Sequence, residues 1–325
     1  MTSLDELTAV VVDWNLPDHT IRSVQALLAD GVPPQRVVVV ENEPTDENWS
    51  RVAAALGDSV LVRIGSNIGF ARANNVGART LPGTAYLLVN NDAFVHRPGS
   101  VASLVEAIRR PSVGIAVPRL LNEDLSLQPS VAPFTTPLPA LVRASGVSRF
   151  VPDGWQPRLS THWSHSSSRE VEAAIGAVML VDGPAWDELG GLSEASFMYA
   201  EDLDLCWRAR ERGWKTWFVD TAEFVHLGGA SSDRRWATRE RSERIGRAEA
   251  EMIRDHLPPA RAALTIGLMR SGLAARVACF SVARNRAAAA SCRGSLEGLG
   301  RKRVEQRSAP AAPEPEIEIV RPEPD

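Results

Sequence analysis

Four apolar runs open the chain: AVVV at 9–12, VVVV at 37–40, VLVRI at 60–64 and YLLV at 86–89. Each is short, nearly continuous and bounded by polar residues, the pattern of a strand buried on both faces. Segments of helical spacing lie between them, SVQALLADG at 23–31 with a glycine stop and ARANNVGART at 71–80. Strands alternating with helices predict a parallel sheet covered by helices on both faces. Such sheets bind ligands beyond the carboxyl ends of their strands, so the residues after each run carry the interest. They are Asp13-Trp14-Asn15, Glu41-Asn42, Ser66-Asn67-Ile68-Gly69-Phe70 and Asn90-Asn91-Asp92. One such end is ordinary turn chemistry. Four on one edge predict a polar ligand site.

The pattern weakens over 122–170, which is rich in Pro, Ser and Thr and reads as a long excursion or flexible lid. EAAIGAVMLVDG at 172–183 returns as strand-like sequence, and PAWDELGGL predicts a short helix with Pro near its start and Gly after its end. FMYAEDLDLCWRARERGW at 197–214 then places three carboxylates, Glu201, Asp202 and Asp204, at the head of a helix ending at Gly213. KTWFVD predicts another strand, leading to AEFVHLGGAS with His226. From about 234 the chain is helical and basic, with nine Arg and Lys against one Glu between 260 and 303. The Pro- and Glu-rich end, SAPAAPEPEIEIVRPEPD, has the composition of a disordered tail.

At 325 residues, 44% hydrophobic and 23% charged, the chain has ample sequence for a core. A net charge of −4 argues against a dedicated nucleic-acid binder. Three scattered cysteines, Cys206, Cys279 and Cys292, form neither a zinc pattern nor a disulfide framework, which fits a reducing compartment. The first residues, MTSLDELTAVVVDWN, carry acids where a signal peptide carries bases. The longest uninterrupted apolar stretch outside the early strands, AALTIGLM at 262–269, is closed off by Arg261 and Arg270. These features predict a cytoplasmic protein whose membrane contact, if any, is peripheral, on the inner face of the plasma membrane.

Asp92, at the end of an apolar strand, has the chemistry to hold Mg²⁺ or Mn²⁺ whose other positions are filled by water and a diphosphate, or equally to cap the next backbone amides. His226 suits Mn²⁺ where a carboxylate shares the site, and otherwise reads as a packed histidine. Glu41 and Asn67 offer hydrogen bonds to a nucleobase or ribose. Neither GxGxxG nor a P-loop follows any strand, which disfavours a nicotinamide enzyme or an ATPase. The helix dipole explains an acid or two in the Glu201-Asp202-Leu203-Asp204 cluster, but not the aromatic approach through Phe197, Met198 and Tyr199. A carboxylate against apolar surface is raised in pKa and serves as a general base. Adjacent helical residues diverge by about 100°, so Glu201 and Asp202 have different duties.

YLLVNNDAFV, GSNIGFARANNVGA and above all GGLSEASFMYAEDLDLCWRARERGW…HLGGAS resemble the family-2 glycosyltransferases, in particular their rhamnosyltransferase- and galactofuranosyltransferase-like branch. The resemblance covers about residues 8 to 232 in the family's order. It implies an α/β fold of the GT-A type, a Rossmann-like mostly parallel sheet with flanking helices, over 1–232. A basic helical extension over 233–305 and a disordered tail over 306–325 would follow. It further implies inverting transfer of a sugar, rhamnose by preference, from a dTDP- or UDP-linked donor to a glycan or polyprenyl-linked acceptor in cell-envelope polysaccharide synthesis. Asp202 matches the catalytic base with Glu201 beside it, and Asp204 and Tyr199 fall to acceptor binding or positioning. Asp92 matches the metal-binding acid for Mn²⁺ or Mg²⁺, and His226 a further metal ligand. Asp13, Asn15, Glu41, Asn67, Asn91 and Asp92 form the expected nucleotide site. Two departures stand out: the DxD element is NND, and Ser193 replaces the usual acid of the GGFDE turn. The rival readings are a nucleotide-sugar hydrolase or pyrophosphorylase, the latter disfavoured by the lack of a Gly-rich basic loop after strand one, and a non-catalytic sugar-nucleotide-binding protein. The basic helices point to an anionic membrane surface or an oligomer contact.

Overall fold

The computed structural model describes residues 3–152, 155–159, 163–195, 199–228, 237–301 and 316–322. Phe197, Met198, residues 229–236 and most of the tail expected to be disordered lie outside this set. The four apolar runs form β1 (Leu7–Asp13), β2 (Val37–Asn42), β3 (Val60–Ile64) and β4 (Ala85–Asn90). Helices α1 (Pro17–Ala29), α2 (Asp46–Leu56) and α3 (Phe70–Thr80) connect them. Side chains alternate between two buried faces: Val10, Val12, Val38 and Val40 enter one core, Ala9, Val11, Val37 and Val39 the other. Helix α3 lies so close to the sheet that a Cβ on Gly77 would meet Val10 Cγ1 at 2.5 Å.

The chain continues through β5 (Ala93–Val95), α4 (Ser100–Ile108) and β6 (Val113–Leu121). The excursion after β6 is built rather than loose. It contains β7 (Leu127–Gln128), β8 (Val131–Ala132), α5 (Pro137–Ser145), α6 (Gln156–Leu159) and β9 (Arg169–Val171). Then come β10 (Ala173–Ala174), β11 (Val178–Asp182), α7 (Gly183–Leu189), α8 (Glu201–Glu211) and β12 (Lys215–His226). The main sheet has the path β3-β2-β1-β4-β11-β6-β12-β5. Strands β1 to β4, β6 and β12 run one way, and β11 runs antiparallel between β4 and β6. The sheet is therefore mostly parallel, as the alternation predicts. Its reversed strand carries the chain back beside β4, where the site forms.

Three helices complete the chain: α9 (Thr238–His256), α10 (Pro259–Val282) and α11 (Arg286–Gly300). Beyond them the structure differs from the expected disordered tail at one place. Ile317–Val320, β13, pairs antiparallel with β3 and extends the sheet by an edge strand. Its alternating IEIV sequence lets backbone pairing proceed although all four residues stay exposed.

Candidate functional site

The carboxyl ends of β1, β2 and β4 and the far end of β12 meet on one edge. Asp13 is wholly buried, accepts the Leu16 amide at 3.1 Å and receives the Asn91 side-chain amide at 2.5 Å. Beside it Glu41 is also wholly buried, with the Asp13 carboxyl as its polar neighbour. Burial, then the Asp13 charge, pushes Glu41 up to about 9, so it holds a proton at neutral pH. A neutral carboxyl presents both a donor and an acceptor, the complement of a nucleobase edge.

The neighbouring amides have different duties from those expected. Asn15 adopts φ 55 and uses its whole side chain within the protein. Its Oδ1 accepts Thr45 N and Asn48 Nδ2, and its Nδ2 donates to Glu43 O. Asn15 thereby clips the β1 end onto the loop before α2. Asn91 is likewise turned inward, onto Asp13, and orients that carboxyl from beneath. Asn67 Oδ1 accepts Gly69 N and Asn42 Nδ2 at 3.1 Å each, shaping the loop that leads into α3.

Asp92 and His226, which the family resemblance implies as metal ligands, lie side by side. Strand β5 pairs with β12 so that Ala93 opposes His226, and His226 Nε2 lies 3.3 Å from Asp92 Oδ1. Gln128, 98 residues away in sequence, sets the imidazole. Its Nε2 donates to His226 O and to Asn122 Oδ1, both at 3.0 Å, which leaves its Oε1 to accept from His226 Nδ1 at 2.7 Å. Nδ1 is thereby the donor to Gln128, and Nε2 is the ring nitrogen turned towards Asp92. Asn90 Oδ1 is buried close by without a partner. Two neighbouring ligands of one octahedral ion, each at about 2.1–2.2 Å, lie about 3 Å apart, so the observed spacing and donor set fit Mg²⁺ or Mn²⁺. Among the described residues no cluster of three His, Cys, Asp or Glu side chains forms a fuller cage. A hard cation here would be completed by water and phosphate.

The acid cluster starts helix α8 after two successive non-glycine residues in the left-handed region, Tyr199 at φ 77 and Ala200 at φ 67. Such strain persists only where the surroundings enforce it. It turns Asp202 back onto the strand entering β11: Asp202 Oδ2 accepts Gly176 N at 2.7 Å, and Oδ1 accepts its neighbour's amide, Leu203 N, at 2.8 Å. Ala177, next to Gly176, accepts the amide of Asn90 at 2.8 Å. One short backbone step thus joins Asp202 to the Asn90-Asn91-Asp92 turn. Gly176 is required there, because a Cβ would meet Asp202 Cβ at 2.9 Å. Burial raises both carboxyls of the coupled pair, and the Asp202 charge raises Glu201 further. Glu201 Oε2 has no hydrogen-bond partner, whereas both Asp202 oxygens accept amides. Glu201, although it accepts backbone amides of its own turn, is raised to about 8 and so keeps its proton at neutral pH, while the amides on both Asp202 oxygens favour the Asp202 anion against its burial.

Asp204 points away from this pair. It receives Arg208 Nε at 2.6 Å and His256 Nε2 at 2.9 Å. Burial raises Asp204, but these two partners outweigh it and hold its pKa low. Arg208 also donates to Leu189 O and Gly191 O, and Asn75 of α3 clamps Leu192 through both its N–H and its C=O. The GGLSE turn is thus fixed from two sides, with Glu194 accepting from Asn75 at 2.8 Å. Gln128, Asn75, Gly176 and His256 escape sequence reasoning because each acts on a partner distant in the chain. The NN pair at 74–75 inside a helix was the one local signal, two poor helix formers without a capping role.

The family described as "Glycosyltransferase like family 2" matches residues 5–248, about three quarters of the chain. The chain belongs to this family. A curated relative, the N-acetylglucosaminyl-diphospho-decaprenol L-rhamnosyltransferase of Mycobacterium tuberculosis, is 27% identical over 245 residues, covering 71% of this chain and 78% of that protein. The low-salt glycan biosynthesis hexosyltransferase Agl10 of Haloferax volcanii is 24% identical over 230 residues, 69% of this chain and 68% of its own length. Among solved structures, mannosyltransferase PcManGT from Pyrobaculum calidifontis, in complex with GDP-Man and Mn²⁺, superposes with a TM-score of 0.60 at 16% identity, over 92% of this chain and 89% of that one. The glycosyltransferase thus has a GT-A-like fold and moves a sugar from a nucleotide donor.

Proposed function

We propose that this glycosyltransferase is inverting and divalent-cation-dependent, and that it moves rhamnose from a dTDP- or UDP-linked donor to a hydroxyl of a lipid-linked glycan at the cytoplasmic membrane surface. The observation that carries the mechanism is Asp202, bonded to Gly176, whose neighbour Ala177 accepts the amide of Asn90 at the head of the turn that carries Asp92. The activity for which the mycobacterial relative is named supports the sugar and the lipid acceptor. Glu41, protonated, meets the base edge beside Asp13. Asp202 removes the proton from the acceptor hydroxyl as its oxygen attacks the anomeric carbon, while the bond to the diphosphate breaks on the opposite face. Glu201 keeps its own proton, which prevents a second negative charge from competing for the one Asp202 takes. Asp92 Oδ1, His226 Nε2 and Asn90 Oδ1 would hold the cation, whose positive charge, when bound, offsets that of the leaving diphosphate. Nucleotide release from dTDP-, UDP- and GDP-sugars, with Mn²⁺ or EDTA and with or without membrane lipid extract, tests the reading. One donor, metal and extract should all be required. Release without extract would indicate a hydrolase, and binding without release from any donor a non-catalytic protein.

A further inference from the structure

The excursion between β6 and β9 carries an unusual surface. Leu138, Leu141, Val147, Phe150 and Trp155 are 57, 48, 48, 77 and 61% exposed, within 18 residues of one another. Isolated exposed apolar residues are ordinary, but a run containing two aromatic rings marks a contact surface. Helix α5 of this excursion packs along α10, where Arg276 donates to Arg143 O and a Cβ on Gly272 would touch Ala144 Cα at 2.5 Å. Helix α10 contains no acid and holds Arg261, Arg270 and Arg276, with Leu264 also exposed. It is the one described helix long and apolar enough by composition to cross a bilayer. Three arginines along it and its packing against α5 and α11 suit a helix lying in the interface instead.

Two cavities connect this surface to the catalytic helix. The outer, about 430 Å³, has Leu138, Trp155, Arg158 and Arg261 on its walls. The inner, about 320 Å³, reaches Leu203, the residue after Asp202. Phe134, Pro139 and Leu159 form a wall common to both. Arg158 and Arg261 are exposed, and among the described residues neither guanidinium forms an ion pair or a side-chain hydrogen bond, so both are available to an outside anion. Apolar side chains beside two free guanidiniums complement an anionic lipid leaflet, with rings among the acyl chains and guanidiniums at the phosphates.

We infer that the α5–α6 excursion and helix α10 form a docking surface for an anionic lipid bilayer, with Phe150 and Trp155 as the inserting side chains. It rests on the proposed function only for its purpose, delivery of a lipid-borne acceptor to Asp202. The test is co-sedimentation of the full chain with phosphatidylcholine vesicles containing or lacking phosphatidylglycerol, without donor or acceptor, so that it succeeds or fails independently of sugar transfer. The chain should pellet with the anionic vesicles and be released by high salt. Arg158→Gln and Arg261→Gln should each weaken binding about fivefold, and F150D/W155D should abolish it with an unchanged melting temperature. A wild-type chain that remains in the supernatant overturns the proposal. So does F150D/W155D pelleting like the wild type, or a self-association by gel filtration that the same substitutions remove in place of vesicle binding.

Discussion

At the scale of single residues, the site separates two adjacent acids by their hydrogen bonds. Asp202 accepts two amides and Glu201 Oε2 none, so one is suited to take a proton and the other to keep one. Asp202→Asn should lower transfer by about 10²–10⁴-fold with nucleotide affinity unchanged, whereas Glu201→Gln, which mimics the protonated acid, should keep most of the activity. Equal losses in a steady-state assay would refute the division of roles. Glu41 gives a separate test through stability. Its folded pKa of about 9 exceeds the ordinary 4.5, so the folded state binds a proton that the unfolded chain releases between these values. Stability must therefore fall as pH rises from 4.5 towards 9. Glu41→Gln removes that slope, and its melting temperature should match the wild type near pH 5 and exceed it by about 2–4 °C or more at pH 8.5. The placement of Asp92, His226, Glu201 and Asp202 at strand ends and a helix start was legible in the sequence from the boundaries of those elements. The inward turn of Asn15 and Asn91 was not, since an amide at a strand end has the same local signature whether it faces ligand or protein.

At the scale of elements, the early strands and α3 were legible because continuous burial leaves an unbroken apolar run. Strand β6 was not singled out, and Pro118 in its middle argues locally against a central strand. The structure accommodates it where β12 shifts register between Val219 and Glu223, so the missing N–H falls at an irregularity in the ladder. The same bulge makes β12 one strand of 12 residues where the pattern suggested two pieces. The C-terminal helices were legible as helices but not in their pairing, which depends on glycine. A Cβ on Gly294 would lie 2.1 Å from Arg239 O, and one on Gly298 2.1 Å from Glu243 O, so α9 and α11 touch backbone to backbone. Gly298→Ala should cost about 1–3 kcal/mol and lower the melting temperature by several degrees. Gly267→Ala on α10, with nothing within 4 Å of its added Cβ, should be neutral or slightly stabilising. If thermal melts show equal effects for the two, the close approach of α9 to α11 is not what the glycine serves.

At the scale of the whole molecule, the change of composition near residue 233 does not coincide with a break in packing. One continuous core contains Val10, Val38 and Leu205 of the transferase region together with Met252, Ile253, Ile266, Met269 and Leu299 of the helices after it. The contact runs directly to helix α8: Phe134 packs on Trp207 at 4.3 Å between centroids, and Trp207 stacks on His256 at 4.9 Å. His256 in turn reaches Asp204, two residues beyond Asp202. Burial lowers the His256 pKa, but its bonds to Asp204 and Glu211 outweigh this and raise it, and the same two bonds tie α9 to α8. The last three helices therefore support the fold as well as any surface they present. A chain ending at Leu257 would uncover Met252 and Ile253 and lose the burial of Ile266, Met269 and Leu299, each worth about 1.5–3 kcal/mol. Such a chain should melt well below the full-length protein, or aggregate, and lose sugar transfer even to a soluble acceptor. If it melted with the full chain and kept turnover, α10 and α11 would be a separable appendage, and the continuity of the core would have no energetic consequence for the site.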